Sequence, residues 1–276
     1  MKACVIASPG VVQRCRLVAA PSDAELVLFS GYYLYAVARL LLKYPFAIIK
    51  LINNGYDDAA SEIVTKLDMV WSQHPIESKI VDGFKVYLSS EDPWRVSRII
   101  GLEGLYEPEV TALFRRIVKK GMNVVDIGCN VGWFSLWACK LVGSEGKVYA
   151  FDTDSDYTCL LAKSKETNHF SNLQIFNMGG EHLKEAVKEP IDVVKVDVDG
   201  DEPKIIQSNL ELLLQARHII MEWHKEDWIE KEALASSLIG QFEVFRIVHS
   251  PFLIKKTPFR SLWETRNRSI IYLRRV

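Results

Sequence analysis

Four short groups of residues have types and spacings suited to chemistry. The first is the run NVVDIGCNVGWF from Asn123 to Phe134, where the acid Asp126 is followed by Gly128, Asn130 and Gly132. Glycine loses more freedom on folding than any other residue, so two of them after a valine-rich strand mark a turn that something approaches closely. The second group is Asp152, Thr153 and Asp154, with Asp152 twenty residues beyond Gly132. An acid so placed can accept hydrogen bonds from both hydroxyls of a ribose, and Asp154 is close enough to share that role. A nicotinamide-binding turn would carry GxGxxG to seat a pyrophosphate on a helix N-terminus. Here the glycines stand four apart after an acid, which points to a nucleoside without phosphates, S-adenosylmethionine.

The third group is Lys195, Asp197 and Asp199 in the segment IDVVKVDVDGDE. Their alternation puts three charges on one face of an otherwise apolar strand, and burying them unpaired would be costly. They need partners or a cleft; a Lys and Asp pair that only holds the sheet together is the alternative. Glu222 and His224 form the fourth group, ending a later apolar run with the same alternation. Histidine titrates near neutrality, which suits a base that takes a proton from an acceptor hydroxyl. Trp133, Trp223 and Trp228 could stack on a base or sugar, or simply pack.

The elements that position these groups follow from periodicity. Strands are predicted at 123–127, 147–152, 173–177, 191–198 and 218–223, each followed by a helical run. Such alternation argues for a parallel sheet covered on both faces by helices. The β-rich runs 242–248 and 269–274 have no comparable helix between them and are expected to pair antiparallel at the far edge. Asp82-Gly83 between two β-rich runs, 79–88, is a hairpin signal. Residues 109–120 read as an amphipathic helix closed by Gly121. From 22 to 71 the pattern is helical, giving two expected parts: an N-terminal helical cap over 1–75 and the sheet domain over 76–276.

Composition narrows the class. Of 276 residues, 49% are hydrophobic and 25% charged, as in ordinary folded proteins. A net charge of −1 supplies no overall field toward a polyanion, so no nucleic-acid partner is expected. Five cysteines without a CxxC pair fit reduced thiols in the cytoplasm. The apolar run 26–42 is shorter than the roughly 20 residues of a membrane span. With Arg39, Lys43 and Lys50, residues 26–52 are a candidate for contact with a membrane surface, or for burial against the domain or a twin subunit in a homodimer.

From Lys79 onward the chain resembles the FkbM family of class I methyltransferases. The resemblance rests on LYEPEV (105–110), VVDIGCNVG (124–132), VYAFDTD (148–154), IDVVKVDVDGDE (191–202) and IIMEWH (219–224), in register over some 120 residues. Cys129, Asp152-Thr153 and Asp199 depart from the family's Ala, Glu-Pro and Glu. The resemblance implies an α/β fold with a Rossmann-like, mostly parallel sheet, an antiparallel edge strand and here an N-terminal helical extension. It implies S-adenosylmethionine as cofactor, bound by Glu107, Asp126, Gly128, Asn130, Gly132, Asp152, Thr153, Asp154 and Asp197. The catalytic candidates are His224, Asp197, Asp199, Lys195 and Glu222, and no metal is expected. The acceptor it implies is a hydroxyl of a small molecule or glycan. The alternative is a degenerate cofactor-binding module with an assembly or membrane-surface role.

Overall fold

The computed structural model describes residues 25–26, 68–73, 75–223, 240–247, 254–256 and 269–276. Five parallel strands form its centre: β4 (Asn123–Ile127), β5 (Lys147–Phe151), β6 (Leu173–Phe176), β7 (Val193–Val196) and β8 (His218–Trp223). The full sheet has the order β1-β10-β9-β11-β8-β7-β4-β5-β6, where β1 is Glu25–Leu26, β9 Phe242–Ile247, β10 Ile254–Lys256 and β11 Ser269–Arg275. Strand β11 runs antiparallel between β8 and β9. The two C-terminal runs therefore pair as expected, but the antiparallel strand is interior, with β9, β10 and β1 beyond it.

That arrangement corrects one expectation at the N-terminus. Residues 25–26 were read as part of a helical run, yet they are extended and pair with β10. An open strand edge offers unpaired backbone groups, and these satisfy them. The rest of the expected helical cap, and the basic run after Leu26, lie outside the described residues apart from a helical stretch at 68–73. No helix among the described residues is long and apolar enough to cross a membrane.

Apolar side chains alternate between two cores, one on each face of the sheet. Val124, Val148, Val193 and Ile220 face helices α2 (Pro108–Ile117) and α3 (Trp133–Val142), whereas Val125, Tyr149, Val194 and Ile219 face α6 (Glu202–Leu213). Burial on both faces explains why these strands read as near-continuous valine and isoleucine. The period of two also decides where the charged residues go. Asp126, Lys195 and Glu222 fall on the α2 and α3 face, with Asp126 opposite Lys195 and Lys195 opposite Ile220. The described helices also include α1 (Val96–Glu103), α4 (Ser155–Thr167) and the short α5 (Leu183–Ala186).

The hairpin of β2 (Ser78–Val81) and β3 (Phe84–Tyr87) turns through Asp82 and Gly83, both at positive φ, as its sequence predicts. It is fastened to α4 by side chains. Asn168 accepts from the Lys85 N–H at 2.7 Å and donates to the Lys85 carbonyl at 2.6 Å. Ser164 Oγ accepts from the Tyr87 N–H at 3.0 Å. We expect Asn168→Ala to lower unfolding free energy by about 1–3 kcal/mol, since it strips partners from a part-buried backbone. A urea midpoint unchanged from wild type would show that this clamp contributes nothing.

Candidate active site

The carboxyl ends of β4, β5, β7 and β8 bring most of the expected residues together. Gly128 and Gly132 have φ of 76° and 91°, and Asn130 between them has φ of 50°. A Cβ on Gly128 would lie 1.8 Å from the Asp197 carbonyl oxygen, so this turn packs backbone against the end of β7. Only glycine permits that approach at that φ. Asp126 is 1% exposed; its Oδ2 accepts from Ser135 Oγ at 2.7 Å, while Oδ1 has no hydrogen-bond partner among the described residues. Burial raises the Asp126 pKa, opposed by the ammonium of Lys195.

Asp152 and Asp154 have different jobs. Asp154 caps α4, its Oδ1 accepting from the Asp156 N–H at 2.8 Å. Asp152 uses Oδ2 to accept from the Asn130 N–H at 2.7 Å and Oδ1 to accept from the Asp154 N–H at 2.9 Å. The carboxylate thus links the glycine turn to the start of α4, and each oxygen retains a further lone pair. Thr153 is exposed, and its carbonyl accepts from Asn177 Nδ2 at 3.0 Å.

The second cluster surrounds Lys195, which is 4% exposed. Its ammonium lies 2.8 Å from Asp197 Oδ2 and 4.6 Å from the centre of the Phe134 ring. Burial alone would lower its pKa, but Asp197, Glu107 and Asp126 outweigh burial and hold it as a cation above its ordinary value. Carboxylate oxygens of Glu107, Asp197 and Glu222 lie within 4.8 Å of one another. Together with Lys195, Val110, Val196, Ile220 and Ile270 they line a cavity of about 10 Å³.

Asp199 stands apart from this cluster. Strand β7 ends at Val196, so the alternation stops before Asp199, which is exposed at φ of 48° in the following turn. Of the three charges expected on one strand face, only Lys195 lies on β7; Asp197 follows the strand's last residue and pairs with Lys195, and Asp199 is off it. Glu107, Asn130 and Asp199 all adopt left-handed backbone at this edge of the sheet, a conformation that non-glycine residues hold at a cost. Trp133 is core, donating from Nε1 to Thr111 Oγ1 at 2.9 Å, and Trp223 is buried. His224 and Trp228 lie outside the described residues.

Sequence reasoning passed over four neighbours. Ser135 and Phe134 follow the glycine turn directly, where a helix first turn must face Asp126 and Lys195. Tyr157 contacts the Asn130 side chain, and burial, then the nearby Asp92, raises its pKa. No motif marks Tyr157 or Asp92, because only packing of α4 against the loop before α1 brings them together.

Residues 109–223 match the family model described as FtsJ-like methyltransferase. This segment is a methyltransferase domain. Its fold is the Rossmann-like class I methyltransferase fold, and its cofactor is S-adenosylmethionine. Among curated relatives, a ribosomal RNA large subunit methyltransferase E of Hydrogenovibrio crunogenus is 32% identical over 71 residues, covering 26% of this chain and 32% of that protein. A probable cobalt-precorrin-6B C(15)-methyltransferase of Saccharolobus solfataricus is 25% identical over 118 residues, covering 42% of this chain and 59% of that one. The chain thus spans about a third of the first relative's length and about three fifths of the second's. The crystal structure of an rRNA methylase from Streptococcus thermophilus aligns at 16% identity and a TM-score of 0.43, over 66% of this chain and 98% of that one.

These findings correct two expectations. The match is to the FtsJ-like family, and a curated relative of the methyltransferase domain is named for ribosomal RNA, against the expected small-molecule or glycan acceptor. The exclusion of nucleic acid fails with it. It rested on net charge, which averages over the whole chain and is silent about local groups.

The residues present fit the cofactor: a turn that a Cβ would fill, an acid beside it with lone pairs to spare, and a buried acid with one oxygen unpartnered among the described residues. When bound, S-adenosylmethionine supplies an already activated methyl group. The chain's part is to hold it, exclude water and manage a proton. Burial, offset by the Asp154 and Asn130 N–H groups, raises the Asp152 pKa. Ribose binding uses the ionised form, so cofactor affinity should fall as pH drops through that raised pKa, earlier than a free carboxylate near about 4 would dictate. In titration calorimetry, Asp152→Asn should weaken binding and flatten this acid limb; an unchanged profile would remove Asp152 from ribose recognition.

Proposed function

We propose that this methyltransferase transfers methyl groups to RNA. The observation that carries the reading is the FtsJ-like match over 109–223, with a ribosomal RNA methyltransferase among the relatives of that segment. Local chemistry supports it. The ammonium groups of Lys85 and Lys163 stand 4.7 and 4.1 Å from the centre of the Tyr87 ring, and Trp94 is 59% exposed in the loop that follows. Cations interleaved with aromatic rings suit phosphates and unstacked bases.

At the cofactor turn, Asp197 is fixed by Lys195, and Glu107 and Glu222 stand beside it. These carboxylates accept hydrogen bonds from an acceptor atom that carries a proton, and His224, two residues past Glu222, is the candidate to remove it. The FkbM-like motifs remain our guide to these residues and not to the acceptor. We place the protein in the cytoplasm, in keeping with free Cys129, Cys139 and Cys159.

The test is transfer of labelled methyl from S-adenosylmethionine to ribosomal RNA, stripped of earlier methylation, by the full chain. Label in RNA that ribonuclease releases supports the reading, and label confined to non-nucleic acceptors sinks it. Replacing Lys85 and Lys163 together by Glu should weaken RNA binding and reduce its salt dependence, with cofactor affinity unchanged. His224→Ala should leave cofactor affinity within about twofold and slow turnover about a hundredfold; a wild-type rate would exclude it as the base.

A further inference from the structure

We propose that Trp94 is a stacking platform for an unpaired base, so that the acceptor RNA reaches the methyltransferase site as single strand and not as duplex. The inference deepens the RNA reading and rests on it. Among the described residues, Trp94 is the one Phe, Tyr or Trp that is exposed, at 59%; the others are buried or half-buried. An indole left in water forgoes the stabilisation that its large apolar surface would gain in a core, and a ring stacked on it recovers part of that.

The loop that carries Trp94 is fastened on both sides. Before it, the Ser89 N–H donates to Ser97 Oγ at 3.0 Å, and the Ser90 carbonyl accepts from Trp71 Nε1 at 3.3 Å. Asp92, 3% exposed, accepts from the Arg98 N–H at 3.1 Å, and its carbonyl accepts from the Arg95 N–H at 3.3 Å and from the Arg98 guanidinium. After it, Arg95 is held in left-handed backbone at φ of 65°, and its guanidinium reaches Asp68 at 3.1 Å. The ring is therefore presented to solvent by a rigid support. A platform fixed in advance loses little freedom when a base settles on it.

The position of the loop ties it to the site. Asn168 and Ser164 clamp Lys85 and Tyr87 to the C-terminal part of α4, and the chain then runs back along that helix to Asp92. There Tyr157 has Asp92 nearby and touches Asn130 of the glycine turn. Ser164 and Tyr157 are seven residues apart in α4, about 10 Å along its axis. The ammonium groups of Lys85 and Lys163 around Tyr87 thus mark one end of a path, and Trp94 stands at the end nearer the glycine turn. Phosphates beside ammonium groups and a base against an indole are the contacts that a single strand makes along such a path. A duplex offers phosphates to the lysines, but its bases stay stacked on one another and give Trp94 no free face.

Fluorescence anisotropy of the full chain with labelled oligouridylate, and with the same strand paired to oligoadenylate, tests this. Trp94→Ala should weaken binding of the single strand about tenfold or more, the scale of losing one stacked base, while affinity for the duplex and for S-adenosylmethionine each changes less than about twofold. Trp94→Phe should restore most of the lost affinity, and circular dichroism identifies a variant that has not folded. Single-strand affinity unchanged in a folded Trp94→Ala protein, or equal losses for strand and duplex, overturns the platform and leaves the RNA reading standing. A variant that keeps the strand but loses binding to vesicles of anionic phospholipid would assign Trp94 to a membrane surface and overturn the proposal. Binding of neither RNA by wild type would overturn the RNA reading and the inference with it.

Discussion

A lysine ammonium buried under a phenylalanine ring is the constraint around which this site is organised. Taking Lys195 out of water is expensive, and the cost is tolerable only because Asp197 touches it and Glu107 and Asp126 surround it. Those carboxylates come from three places: the ends of β4 and β7 and the residue before α2. One buried cation thus ties the glycine turn to the carboxylates gathered beside it. Removing it would leave neighbouring acids to repel one another, and they would respond by taking up protons or moving apart.

The sheet makes that convergence possible. Parallel neighbours β4, β7 and β8 present their carboxyl ends side by side, and their shared register puts Asp126, Lys195 and Glu222 on one face. Helices α2 and α3 cover that face and are themselves joined by the bond from Trp133 to Thr111. Phe134 and Ser135 belong to the first turn of α3, so the helix that begins at the glycine turn also supplies the ring over Lys195 and the hydroxyl on Asp126. Cofactor turn, buried cation and helix packing are therefore one mechanical unit. On the opposite flank, Asn168 and Ser164 hold the hairpin against α4 and thereby place Tyr87, Lys85 and Lys163 together.

Strand and helix order, the hairpin and the tight glycine turn were legible because each has a local cause. Valine-rich runs of five or six residues, Asp82-Gly83, and two glycines after an acid mean nearly the same thing wherever they occur. The acceptor was not legible. Net charge misled because it sums groups that never meet, and the FkbM-like letters at 105–110 and 219–224 implied a small-molecule or glycan acceptor, whereas a curated relative of part of this segment is named for ribosomal RNA. Asp199 was misplaced for a simple reason. Alternation extrapolates a strand, and the chain leaves the strand after Val196.

By itself the sequence determined a doubly covered parallel sheet, a turn fit for a nucleoside cofactor, and the identity of most acids around it. Periodicity and glycine chemistry are properties of neighbours along the chain, so they survive without a structure. Tertiary structure alone decided that β11 enters between β8 and β9, that Asp154 caps a helix while Asp152 ties the glycine turn to the residue that caps it, and that Glu107 meets Asp197 and Glu222. Glu107 and Glu222 are more than a hundred residues apart in the chain. Their encounter depends on the order in which strands pair and helices pack, which no local pattern encodes.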